Sequence, residues 1–95
     1  MTINNLVILG PTATGKTSLS LKLSEYIDSE IINSDTSIFY KDIRVGTGKP
    51  SPNELSKVKH HLVDFLDPRL RYSLSEFIEM SLKLIEEINS SKKIP

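Results

Sequence analysis

Gly10-Pro11-Thr12-Ala13-Thr14-Gly15-Lys16-Thr17 follows directly on the apolar run Leu6-Val7-Ile8-Leu9, and no other stretch of this sequence restricts the fold as tightly. Four consecutive apolar residues stopped by Gly-Pro suit a short strand buried on both faces, as in a parallel sheet. From Lys16 the spacing changes, because Leu19, Leu23, Tyr26 and Ile27 recur at helical intervals that close near Asp28-Ser29. Glu30-Ile31-Ile32-Asn33-Ser34-Asp35 then reads as a second strand, its two Ile being good strand formers and its polar end opening a loop. Strand, helix and strand make a β-α-β unit, whose strands normally lie as parallel neighbours joined by a right-handed crossover.

The octapeptide between the first strand and the helix matches G-x-x-x-x-G-K-[ST] in the strand-to-helix context its mechanism requires. Its glycines let the backbone curl so that successive N–H groups converge on one concavity, and the helix beginning near Gly15 adds the positive end of its dipole. Phosphate oxygens are the natural guest. Lys16 brings a full charge to the terminal phosphates, and the Thr17 hydroxyl is placed to ligate a magnesium ion bridging them. The loop does not distinguish a nucleoside triphosphate from another diphosphate. Asp35 ends the second strand, on the edge where open α/β sheets place their ligands. It reads as a general base, as an outer magnesium ligand, or as a strand-ending Asp making a turn hydrogen bond.

Length and composition bound the rest. Ninety-five residues make one small domain, and the absence of Cys excludes a disulfide scaffold, thiolate metal sites and cysteine nucleophiles, leaving the cytoplasm as the default compartment. No apolar run approaches the roughly 20 residues of a membrane span, and Met1 to Asn5 lacks a basic signal-peptide start. Twelve basic residues balance twelve acidic ones, so whole-chain attraction to nucleic acid is not expected. Residues 41–61, rich in Gly and Pro, read as a functional loop with at most a single turn around Asn53 to Lys57. Lys41, Arg44, Lys49, Lys57 and Lys59 give it a local basic excess over Asp42 and Glu54, which suits phosphate contacts and a solvated loop equally.

Further on, His61 to Leu66 reads as a brief strand stopped by Asp67-Pro68. His60 and His61 would point to opposite faces of such a strand, which argues for structural or surface roles rather than shared metal ligation. Ser73 with Glu76 forms a capping-box pattern, and Leu74, Phe77, Ile78, Ile85 and Ile88 mark the core face of a helix reaching about Asn89. Lys92-Lys93 reads as a pair answering that helix's dipole, and Ile94-Pro95 as the approach to another strand. A doubly wound sheet usually has five or six strands, and two firm candidates with one weak one describe a truncated sheet of marginal independent stability.

Taken in order, the octapeptide, Ile32-Asn-Ser-Asp35-Thr, Tyr40-Lys-Asp-Ile, Gly46-Thr-Gly-Lys-Pro50, His60-His-Leu-Val-Asp-Phe-Leu-Asp-Pro68 and Tyr72-Ser73 resemble the amino-terminal third of the tRNA dimethylallyltransferases, also called isopentenyl-diphosphate:tRNA transferases. The resemblance implies an α/β fold with a P-loop NTPase-like parallel sheet and flanking helices, truncated, with residues 1–95 the amino-terminal part of a single P-loop domain. It implies transfer of a dimethylallyl group from dimethylallyl diphosphate to N6 of the adenine next to the anticodon, position 37, of tRNA. By that likeness Gly10, Pro11, Thr12, Ala13, Thr14, Gly15, Lys16 and Thr17 hold the diphosphate, with Thr17 on Mg2+. Asp35 is then the general base, Lys16 and Thr12 assist, and Asp35, Thr36, Ser37 and Ile38 line the tRNA entry, the anticodon stem-loop being the partner and a monomer the family state. Ile38 stands where the family commonly has Gln, and so lacks that residue's hydrogen-bonding groups. Family members run to about three times this length, so the isolated chain is expected to be inactive. The same loop and Asp35 would also serve a small-molecule or nucleotide kinase acting on ATP, and a relic or a piece working beside a partner chain is a third reading.

Overall fold

A computed structural model describes residues 5–9, 16–35, 39–41 and 50–95, with Lys16 and Thr17 described as backbone only. Its elements in chain order are α1 (Lys16–Leu23), β1 (Ile31–Ile32), α2 (Pro52–Lys57), β2 (His60–His61) and α3 (Leu74–Ser90). Among them β1 and β2 pair in parallel, Ile31 opposite His60 and Ile32 opposite His61. The expected α/β class with parallel pairing and flanking helices is what these elements build.

The pairing extends beyond the two short strands. Ile31 N donates to Lys59 O at 2.8 Å and Asn33 N to His61 O at 3.0 Å. A second parallel bridge joins Tyr40 to Leu66, supported by Lys41 N to Leu66 O at 2.8 Å. On the other side of β1, Ser29 bridges Ile94 in parallel, with Glu30 N donating to Ile94 O at 3.2 Å and Ile94 N to Asp28 O at 2.9 Å. Leu6 N in turn donates to Pro95 O at 3.0 Å. Residues 94–95 thus lie between the Leu6 segment and β1, which corrects the expectation that the first two strands are neighbours. It also fulfils the expectation that Ile94-Pro95 approaches a strand position.

Leu6 to Leu9 is not a strand, and Val7 and Leu9 are 71% and 87% exposed, against the expected burial on both faces. A strand buried on two faces requires ladder partners and covering helices, and among the described residues the run has a single backbone hydrogen bond, to Pro95. α1 starts at Lys16, where the change of period puts it, but ends at Leu23. Beyond it i→i−3 bonds, Glu25 N to Lys22 O and Tyr26 N to Leu23 O, mix with i→i−4 bonds from Ser24 N to Ser20 O and Ile27 N to Leu23 O, and Tyr26 is exposed.

The core sits between β2, the segment after it and α3. Phe39, Leu62, Leu66 and Leu84 form its centre, with Ile32, Tyr40, Phe65, Tyr72 and Phe77 packed against them. Phe39 is 2% exposed, its ring 5.3 Å from Phe65 and 5.7 Å from both Tyr72 and Phe77. Edge-on and offset packing of this kind adds about 0.5–1.5 kcal/mol per pair beyond area burial. Sequence periodicity did not pick out Phe39, because the triplet Ile38-Phe39-Tyr40 is too short to show a strand or helix period.

α3 is capped by Ser73, whose Oγ accepts from Glu76 N at 3.1 Å. Its buried face runs through Phe77, Leu84, Ile85 and Ile88, whereas Leu74 and Ile78 are exposed, a correction to the stripe expected to be core. The helix closes in a Schellman motif: Lys92 N bonds Asn89 O at 2.9 Å, Lys93 N bonds Ile88 O at 3.1 Å, and Lys92 takes the left-handed conformation, φ 62°. The reciprocal capping box belongs to α2, where Ser51 Oγ accepts from Glu54 N and Glu54 Oε1 from Ser51 N. A full helix of six residues therefore stands where one turn was expected.

Candidate functional site

Asp35 lies two residues past the last ladder bond of β1, and Asn33 shapes the chain between. Asn33 Oδ1 accepts from Asp35 N at 3.0 Å, while Asn33 Nδ2 donates to Asp35 O at 2.9 Å and to Leu62 O at 3.0 Å. The turn expected of a strand-ending Asp is thus made by the side chain of Asn33 on the backbone of Asp35. Asp35 itself is half-buried at the carboxyl end of β1, the edge on which sheets of this class carry ligands. Sequence reading missed Asn33; its signal was an Asn two residues before the candidate carboxylate, the spacing of an Asx turn.

Leu62 has φ 63° and Asp64 φ 52°, both left-handed. A bulky residue in that region is a conformational outlier, held only when its surroundings over-determine it. Leu62 is buried in the core and its carbonyl accepts from Asn33, so packing on one side and a hydrogen bond on the other fix it. This bend ends β2 after His61 and corrects the strand expected over His61 to Leu66.

At the opposite end of β1, Glu30 meets His61 and Lys93. Glu30 Oε1 lies 2.7 Å from His61 Nε2, and Glu30 Oε2 lies 3.4 Å from Lys93 Nζ, the Glu30 and His61 side chains being 12% and 16% exposed. The hydrogen bond from His61, with a smaller contribution from Lys93 and against the opposing effect of burial, holds the Glu30 carboxyl below its usual range. The cluster ties β1, β2 and the segment after α3 together. His60 Nδ1 lies 2.8 Å from Val58 O, so both histidines have structural partners, as their adjacency suggested. Lys93 answers Glu30 rather than the α3 dipole, and Lys92 serves the helix through its backbone.

The remaining predicted site residues fall unevenly. Gly10, Pro11, Thr12, Ala13, Thr14 and Gly15 lie outside the described residues, as do Thr36, Ser37 and Ile38; Lys16 and Thr17 are placed as the first residues of α1. In the basic loop, Lys41 and Lys59 are exposed, and Lys57 lines an open polar cleft with Lys22, Glu25 and Glu54, two residues of each sign. Arg44 and Lys49 are outside the described residues. Among the described residues no three His, Cys, Asp or Glu side chains gather as a metal cage, and no helix is long and apolar enough to cross a membrane.

A family model described as IPP transferase matches residues 38–95. The tRNA dimethylallyltransferase of Janthinobacterium sp. (strain Marseille) is 43% identical over 97 residues, covering 100% of this chain and 31% of that protein. The solved tRNA delta(2)-isopentenylpyrophosphate transferase of Staphylococcus epidermidis superposes with TM-score 0.87 at 34% identity, over 92% of this chain and 29% of that one. A eukaryotic dimethylallyltransferase, captured acting on tRNA, superposes with TM-score 0.85 at 35% identity, over 90% of this chain and 21% of that one. The chain therefore spans about a third of the length of the curated relatives it matches.

Proposed function

From the premise that this chain belongs to the IPP transferase family, we propose that it carries the donor-diphosphate loop and the proton-accepting carboxylate of a tRNA dimethylallyltransferase, as the amino-terminal part of a single P-loop α/β domain. The observation that carries the reading is Asp35 held at the carboxyl end of β1, in a chain matched from end to end by a protein of that activity. Relatives and solved neighbours are transferases acting on tRNA, which does not favour the kinase reading.

In this reading residues 10–17 receive the diphosphate of dimethylallyl diphosphate. The allylic C1–O bond breaks and its electron pair leaves with diphosphate, and the loop amides and Lys16, with Thr12 a further donor, would stabilise the negative charge that grows on it. The adenine N6 lone pair forms the new C–N bond. That amine is a weak nucleophile because its lone pair is delocalised into the purine, and Asp35 takes its proton as the bond forms. The products are N6-dimethylallyladenine, protonated Asp35 and diphosphate. To meet C1, the adenine of the anticodon loop leaves its stack, and Thr36, Ser37 and Ile38 follow Asp35 at that entry.

A magnesium ion suits the donor set, since one hydroxyl from Thr17 and the diphosphate oxygens are hard ligands, and Mg2+ is commonly held by one or two protein groups plus phosphates. Bound there, it would neutralise charge on the departing diphosphate. Calorimetric titration with dimethylallyl diphosphate and with ATP, each with magnesium, tests the reading. Preference for the allylic diphosphate, retained in Asp35→Asn because that residue serves the acceptor, is the expected result. Preference for ATP overturns it.

A further inference from the structure

We propose that Asn33 is a positioning residue that sets the direction of Asp35 by locking the end of β1 to the bend that follows β2. The inference rests on the reading of Asp35 as the proton acceptor. Three hydrogen bonds from one side chain carry it. Two close the turn on Asp35, at its N–H and its carbonyl, and the third crosses to Leu62 O, twenty-nine residues away in the chain. The first two close a local turn. The third ties that turn across the sheet to Leu62, which is itself fixed by burial among Phe39, Leu66 and Leu84.

The strain at Leu62 points the same way. A buried Leu at φ 63° is costly, and its carbonyl is the group that Asn33 Nδ2 meets. β2 thus ends in a conformation whose visible return is the bond that anchors the Asp35 turn. An Asn is suited to the place because it presents an acceptor and a two-proton donor on one planar group, so it can accept from Asp35 N while donating to two carbonyls. An Asp there would keep the acceptor and lose both donations.

Amide hydrogen exchange and Asp35 χ1 couplings, measured by NMR on this chain, separate the possibilities. Asn33→Ala is expected to speed exchange at the Asp35 amide about tenfold, the scale of one lost hydrogen bond, and to average the Asp35 couplings over rotamers. The amides of Leu84 and Ile88 in α3 keep their protection. Asn33→Asp is expected to restore protection at the Asp35 amide while leaving the couplings averaged, because the turn is remade and the anchor to Leu62 is not. Unchanged couplings in both variants overturn the proposal, and so does loss of protection throughout α3, which would make Asn33 a residue of the core fold. These readouts involve neither donor nor acceptor, so a preference for ATP in the titration above would sink the prenyl-transfer reading and leave the Asn33 lock to be decided here.

Discussion

Phe39 comes from a three-residue apolar stretch, Ile38-Phe39-Tyr40, and is 2% exposed, ringed by Phe65, Tyr72 and Phe77; Val7 and Leu9 come from the most continuous apolar run in the sequence and face solvent. The difference lies in neighbours rather than in the residues themselves. Around Phe39, parallel bridging to Leu66 on one side and α3 on the other close a core from three segments. Around Leu6 to Leu9 there is one hydrogen bond, to Pro95, and no buried partner among the described residues. Apolar character states what a segment needs, and burial depends on which other segments reach it. Stability should therefore be concentrated around Phe39, β1, β2 and α3, while the amino-terminal run contributes little.

The sharpest test of that contrast is a pair of truncations. Phe39→Ala removes a fully enclosed ring and should cost about 3–5 kcal/mol, enough to abolish the cooperative urea transition of so small a chain. Leu9→Ala, at an exposed position, should leave the urea midpoint within about 0.5 kcal/mol of the parent. Equal losses from the two would show that the amino-terminal run is packed after all.

A second test weakens the tie that holds the sheet positions together. Glu30→Gln removes the charge facing His61 and Lys93, and should cost about 2 kcal/mol, most of it from the His61 side because Lys93 is more exposed. The pH dependence has a definite sign. The folded Glu30 carboxyl lies below its usual value of 4.5, so its contribution is complete above that pH and is lost as the pH falls through the lowered value. The difference in urea midpoint between parent and Glu30→Gln should accordingly shrink below about pH 4.5; a difference that grows there would assign the stabilisation to another group.

What could be read in the sequence follows the range of the interaction. α1 begins at Lys16 and α3 runs from Leu74 to within one residue of its expected end, because caps and helical spacing are local. Asp35 at a strand end was legible for the same reason, whereas most of the loop motif, residues 10–15, lies outside the described residues. Features resting on contacts across tens of residues were not: the insertion of Ile94-Pro95 beside β1, the lock from Asn33 to Leu62, and the outward turn of Leu74 and Ile78 all depend on which faces meet. The left-handed Leu62 that shortens β2 has no signature in residue type, since nothing about Leu favours positive φ. Ser51 to Glu54 is a different case, a local capping box that was present in the sequence and overlooked within a stretch taken for loop.

That local box supplies a third test. Ser51→Ala should cost about 1 kcal/mol, since it removes the Oγ acceptor of Glu54 N. If α2 supports the residues that follow it, amide protection at Val58 and His60 should fall with it; loss confined to α2 would place the core boundary after Lys57.

The smallest expected effect sits where the two regions join. Lys92 takes φ 62° to close α3, and from it the chain runs directly into Lys93, Ile94 and Pro95, the residues that touch Glu30, Ser29 and Leu6. A lysine at a left-handed position bears a steric cost that glycine avoids, although glycine also gains freedom in the unfolded chain. The balance predicts that Lys92→Gly stabilises by about 0.5 kcal/mol, seen as a small rise in urea midpoint. Because the Lys92 side chain is not the one that meets Glu30, the ion pair to Lys93 should survive. The decisive reading is the Leu6 amide, bonded to Pro95 O: if the well-packed region holds the amino-terminal segment through this joint, its exchange slows in step with the gain at α3, and if exchange there is unchanged the two regions are energetically separate despite their shared hydrogen bond.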